Sequence, residues 1–497
     1  MPSSHTRREF LRHTLARAAG LAGGASTGLP ALLAACNGPS EPDGSDQVAR
    51  HLLRRVQTAA PQGLTFTAAP GTADFGGGAN GQAWLLNGTL PSPLLRIRRG
   101  DPFTVTLQNQ LPQDVILHWH GISPPEPMDG HPRLAVGQGE SYAYAFDMEE
   151  RAGTYWYHSH THMRTGEQTY RGVAGLIVVE DPEEEALALP SGDREVPLVV
   201  QDRRIDADGV PYYQPFGPDL MAGYMGPEPF VNGIRRPYLE VDSALYRFRL
   251  LNGSNARILR IGRDDGGPIV LIGNDGGLLD APRTVTYADV ATAERIDFLL
   301  DLGGRDVGDR VMLRSLPFSI PGGGGFMGGG FMGGSNLQGQ PLELLELRVT
   351  GTVQDSAVVP QSLPPVPAPD PADAVRERSF RFQSQMMLHT INGRSFEMDR
   401  IDERVPFGET EIWSFANESP LPHPVHVHAT HFKVASRSGG RGQVMPWEEG
   451  VKDTVLVLPT ETVRVAIRFT AHRGLFLLHC HNLEHEDMGM MQNILIE

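Results

Sequence analysis

The chain has 497 residues and a formal net charge of −16 at pH 7, with 57 Gly, 40 Pro and 21% charged residues. That length predicts about three domains at roughly 150 residues each. The Gly and Pro content favours short strands and many turns over long helices, and the acidic balance excludes the basic face that binds nucleic acid.

In chain order, Arg7-Arg8 precede Phe10-Leu11 and an Ala/Gly/Leu-rich run to about residue 35. This resembles a twin-arginine (Tat) signal, which exports proteins already folded, and it predicts a periplasmic or other extracytoplasmic protein. Pro30 and several glycines interrupt the run, so it is not a spanning helix. The segment 1–35 ends in "LLAAC", which resembles a lipoprotein processing site and predicts a membrane tether through Cys36; a cleavage site nearby, with Cys36 incidental, is the alternative. Residues 36–60 are polar and read as a linker.

One pattern then occurs three times: "LLNGTLPSPLLRIRRGDPFTVTLQNQL", "FVNGIRRPYLEVDSALYRFRLLNGSN" and "TINGRSFEMDRIDERVPFGETEIWSFANES". Each copy reads as an Asn-Gly turn, an alternating strand, a short turn and a second alternating strand. The copies lie a domain's length apart, which predicts duplicated antiparallel sandwiches over 61–183, 184–351 and 377–497. Residues 352–376 are a proline-rich tether. A Gly-rich stretch at 320–336 carries Met327 and Met332 and reads as a loop that cannot pack a core.

Four clusters carry metal-binding chemistry. They are "HWH" (His118, His120), "HSH" (His158, His160), "HPVHVH" (His423, His426, His428) and "HCHNLEH" (His479, Cys480, His481, His485). In a strand, residues i and i+2 share a face, so each His-x-His pair aims two imidazoles the same way. Cys480 then faces away from His479 and His481, and two metal centres on opposite sides of one strand are joined through a few covalent bonds. Two imidazoles, a thiolate and a thioether make a mononuclear copper set. Cys480, His485 and Met490 supply three of these at C-x4-H-x4-M spacing, and His423 is the natural fourth, offset from His426 by the turn-forming Pro424. The remaining eight histidines form four pairs and suit a three-copper cluster. With only Cys36 and Cys480 present, no disulfide framework is available.

Motif content and order resemble the three-domain multicopper oxidases, the family of laccases, ascorbate oxidase and bacterial cuprous oxidases. The resemblance implies an all-β chain of three cupredoxin-like Greek-key β-sandwich domains holding four coppers. By motif position, His423, Cys480, His485 and Met490 would hold a type 1 copper, and His118 and His426 a type 2 copper. His120, His158 and His481 would hold one type 3 copper, and His160, His428 and His479 the other. The implied reaction takes single electrons from phenols, aromatic amines or Cu(I), passes them along the Cys480 strand, and reduces O2 to two waters. Asp129 and Glu486 match the family's acids beside the cluster and on the proton path. The resemblance makes domain two a ligand-free spacer and the chain a monomer. A dedicated cuprous oxidase and a non-catalytic copper-binding scaffold are the alternatives.

Several nearby donors fall off the ligand positions. His162 and His431 extend the motifs as outer or surface residues, Met488 and Met491 compete with Met490, and Trp119, Trp156 and Met386-Met387 read as core. Glu448, Glu449 and Asp453 read either as a metal approach near the type 1 copper or as a solvated loop face.

Overall fold

The computed structural model describes residues 49–320, 337–353, 357–385 and 388–497. Arg7-Arg8, Cys36, Met327, Met332 and Met386-Met387 lie outside the described residues.

Alternation in the sequence becomes alternation in burial. In Pro102–Asn109, Phe103, Val105, Leu107 and Asn109 turn inward while the residues between them face outward. Among the described residues six sheets form, and each of the three main cores takes side chains from two of them. In the first, Phe66 and Val105 of a four-stranded sheet meet Ile97 and Tyr155 of a five-stranded one. In the second, Phe248 of a seven-stranded sheet meets Leu313 and Leu345 of a six-stranded one. In the third, Phe380 and Trp413 meet Phe476 and Ile494 across two five-stranded sheets. The Asn-Gly turns are left-handed at both residues, with φ of 53° and 73° at Asn87-Gly88, 51° and 74° at Asn232-Gly233, and 54° and 74° at Asn392-Gly393.

The described parts of the two tethers, 49–60 and 357–376, are more ordered than their composition suggests. His51–Leu52 pairs in parallel with Pro237 and Tyr238, and Thr58–Ala59 pairs with Leu94 and Leu95. Within 352–376, Leu363 is buried in the second core. Edge pairing satisfies backbone groups that a free linker would leave to water.

A buried ion network ties the first sandwich to the second. Glu184, just after the first sandwich's last strand, accepts from Arg247 (3.0 and 2.8 Å) and Arg249 (2.8 Å), and Asp297 accepts from both arginines. Burial raises the Glu184 carboxyl, but Arg249 and Arg247 outweigh it and hold the group at about 2, below its ordinary 4.5. A carboxylate depressed on folding contributes stability that is complete above its unfolded value and is lost as pH falls through its folded value. Stability to urea is therefore expected to fall between pH 4.5 and about 2. Glu184→Gln should flatten part of that slope and cost about 3–5 kcal/mol at pH 7, which urea midpoints across the range would measure.

Candidate metal centres

The histidine pairs sit on neighbouring strands. Leu117–His120 pairs antiparallel with Gly153–Ser159, setting His118 opposite His158. In the third sandwich, His423–Val427 runs between Thr454–Val457 and Gly474–Cys480, with His426 opposite His479 and Val425 opposite Cys480. Pro424 lies within that strand and is not a turn, correcting the sequence reading. His423 parts from His426 because three is an odd number of strand residues, which sends the two rings to opposite faces.

On one face the ring nitrogens converge. His118 Nε2 lies 3.4 Å from His426 Nε2, His158 Nε2 is 3.4 Å from His481 Nε2, and His479 Nε2 is 3.3 Å from His160 Nε2 and 3.1 Å from His428 Nε2. His118, His120 and His158 form one group of converging donor atoms, and His160, His428 and His479 another. All eight histidines are buried. Burial and then neighbouring imidazoles push His158, His426, His428 and His481 well below the ordinary histidine range, and burial takes His160 to about 3.

The opposite face holds the second group. Cys480 Sγ lies 3.4 Å from His423 Nδ1 and 3.7 Å from His485 Nδ1, all buried. Met490 shares the third core with Cys480, whereas Met491 packs in a separate cluster with Leu477 and Phe396. The backbone closes the loop: Cys480 N–H donates to Met490 O (3.0 Å) and Met490 N–H to His485 O (2.9 Å).

Comparison with known proteins gives the family. Two multicopper oxidase family models match residues 67–184 and 366–497. Bilirubin oxidase of Albifimbria verrucaria is 32% identical, over 82% of this chain and 71% of that protein. The chain belongs to the multicopper oxidase family. Cell division protein FtsP of Yersinia pestis is 30% identical over 98% of this chain and 97% of that one. The crystal structure of the multicopper oxidase McoA from Aquifex aeolicus superposes with a TM-score of 0.81 at 32% identity, covering 90% of this chain and all of that one. As a multicopper oxidase the chain is an oxidoreductase that uses O2 and copper.

The donors fit copper on the oxidase's own hydrogen bonds. Nδ1–H of His118 donates to Asp129 O (2.7 Å), of His158 to Ser159 O (2.8 Å), of His426 to Asp453 O (2.9 Å) and of His428 to Asp129 Oδ2 (2.7 Å). A carbonyl or carboxylate can only accept, so it fixes the proton on Nδ1 and leaves Nε2 a bare lone pair. Bare lone pairs aimed at one another are repulsive unless a cation lies among them. His120 is turned the other way: its Nε2 meets Asp453 Oδ1 (3.0 Å) and Thr454 Oγ1 (3.1 Å), and its buried Nδ1 has no hydrogen-bond partner. At the thiol, His485 Nε2–H donates to Met221 O (2.8 Å) and His423 Nε2 meets Ser419 Oγ (2.7 Å), so both present Nδ1 to sulfur. Burial pushes the Cys480 thiol up, and a coordinated metal reverses that by deprotonating it.

Asp129 is buried against two of these rings. It is seated by Gly130, at φ +84°, where a Cβ would lie 2.1 Å from Leu117 O. Glu486 lies 3.2 Å from His479 Nδ1 and 3.7 Å from His160 Nε2. Burial raises its carboxyl, but His479 and His160 prevail and hold it at about 2.

Other readings need correction. Asp453 is buried against His120 and His426 and is not at the thiol centre, while Glu448 is paired with Arg437 and Glu449 with Arg283. Trp119 is core, but Trp156 also stacks on His158 at 4.2 Å and 26°. His162 packs on Phe396, and His431 Nε2 lies 3.9 Å from Asp453 Oδ2; neither joins a donor group. Sequence reasoning missed His389, buried and stacked on His485, and Arg295, which holds Asp453. Neither lies in a His-x-His pattern, so nothing in the sequence marked them.

Proposed function

We propose that the chain is a four-copper oxidase with a type 1 copper at His423, Cys480, His485 and Met490, and a type 2 copper at His118 and His426. The type 3 pair would be held by His120, His158 and His481, and by His160, His428 and His479. The observation that carries this is Cys480 sitting between His479 and His481, with sulfur on one face of the strand and the converging imidazoles on the other. When bound, copper supplies the redox chemistry, accepting single electrons at the thiolate and delivering them to O2 to give two waters.

The protein's residues orient and isolate that chemistry. The peptide bonds flanking Cys480 are the shortest covalent route between the two donor groups. Asp129 accepts from His118 through its carbonyl and from His428 through its carboxylate, fixing two rings at once. Asp129 and Glu486 lie beside the converging rings where protons bound for oxygen would pass, Glu486 as an ionised carboxylate able to accept one in transit. Burial of every ring excludes bulk water.

For the reductant, His485 is buried and its Nε2–H is taken by Met221 O, so no aromatic ring can rest on that edge. This favours a small one-electron donor such as Cu(I). Phenols are the second reading, supported by a structural neighbour from Ochrobactrum sp., 29% identical, which is described as a laccase-like oxidase acting on lignin model compounds. A non-catalytic copper-binding scaffold is disfavoured by the complete donor set. Export and a Cys36 tether remain proposals from the sequence.

The test is oxygen uptake by copper-loaded protein with Cu(I) or with 2,6-dimethoxyphenol. Efficient Cu(I) turnover with feeble phenol oxidation is expected. Strong phenol turnover without added copper would replace the cuprous reading, and no uptake with either donor would refute the oxidase.

A further inference from the structure

The second sandwich contributes no copper donor, yet it holds one. The short helix Gly217–Ala222 has terminal carbonyls that the helix itself cannot satisfy. Three consecutive ones are taken by side chains of the third sandwich: Leu220 O by His389 Nε2–H (2.9 Å), Met221 O by His485 Nε2–H (2.8 Å) and Ala222 O by Asn482 Nδ2–H (3.3 Å). The rings of His389 and His485 are stacked, with centroids 4.1 Å apart and planes 24° from parallel. Ser384 Oγ lies 2.7 Å from His389 Nδ1 and fixes the far end of the ring. Gly223, at φ +95°, permits this approach, since a Cβ there would lie 2.0 Å from Ala256 Cβ and 2.7 Å from Asn482 Nδ2.

We infer that His389 is a positioning residue of the type 1 centre, one half of a stacked imidazole pair that locks the His485 ring onto the second-sandwich helix. This rests on the type 1 assignment above. His485 can rotate about its Cα–Cβ bond only if the stack and the Met221 bond both yield. The stacked ring also sets the polarity against His485, so removing it changes both the ring's freedom to turn and the potential of whatever metal that ring holds.

The experiment uses the full copper-loaded chain and reads the visible thiolate-to-copper band and the midpoint potential. His389→Ala is expected to move the oxidised/reduced equilibrium three- to tenfold, the upper end being about 59 mV for one electron, and to broaden the band. His389→Phe keeps a ring on His485 but loses the Leu220 bond, and should restore most of the potential. An alanine variant with the wild-type band and potential overturns the inference, as does a phenylalanine variant that shifts as far as alanine. If alanine does not fold, His389→Leu, which fills the space without a ring, takes its place with the same expected and overturning results. Absence of the band from wild type would sink the type 1 assignment first, and the inference with it.

Discussion

Replacing Cys480 with serine is expected to abolish the visible thiolate band and to lower oxygen uptake by more than about 100-fold with every reductant, beyond the loss from merely misorienting a ligand. A serine hydroxyl fills the same space but stays protonated, so it neither binds copper comparably nor carries electrons along the strand. Folding should survive, because the cost is that of one buried hydroxyl, about 1–3 kcal/mol. Copper analysis should find one copper fewer per chain, with the histidine cluster still loaded. Retained turnover would mean that electrons reach the cluster by another route.

Arg295→Ala should be the most damaging single change outside the donors, costing about 3–5 kcal/mol. The guanidinium is fully buried and joins all three sandwiches: Nε–H donates to Thr154 O (2.9 Å), Nη2–H to Asp275 O (2.8 Å) and Nη1–H to Asp453 Oδ1 (2.9 Å). Burial lowers its pKa, but Asp453 and then Asp275 prevail and hold it above the ordinary arginine range. Without it Asp453 stays buried beside His120 with no cation, so the donor geometry should suffer along with stability. Urea midpoints and copper content should fall together, and Arg295→Lys should recover only part of either, since an ammonium cannot reproduce the fork. A loss below about 1 kcal/mol would show that Asp453 is neutralised by other means.

The strands and donors were legible because their signals are local. Period-two burial in Pro102–Asn109, the left-handed Asn-Gly turns and the His-x-His pairs all depend on residues a few positions apart. The sides of the Cys480 strand followed from alternation alone. The same rule, applied to His423 and His426, would have removed the turn assigned to Pro424. What stayed hidden depends on distant contacts. Asp453 meets His120 across 333 positions, and His389 meets Leu220 across 169. Such partners are chosen by how sandwiches dock, and Asp453, within a charged stretch, offered no periodicity to follow.

The pairing of His118 with His426 spans 308 positions, and that of His158 with His481 spans 323. Neither the first sandwich nor the third contains enough of the cluster to hold it alone. A chain that stops short of residue 481 is therefore not a weaker oxidase but an inert one. His118, His120 and His158 of the first sandwich can still converge in such a chain, so what it loses is the bridge between the two donor groups and not every copper-binding position.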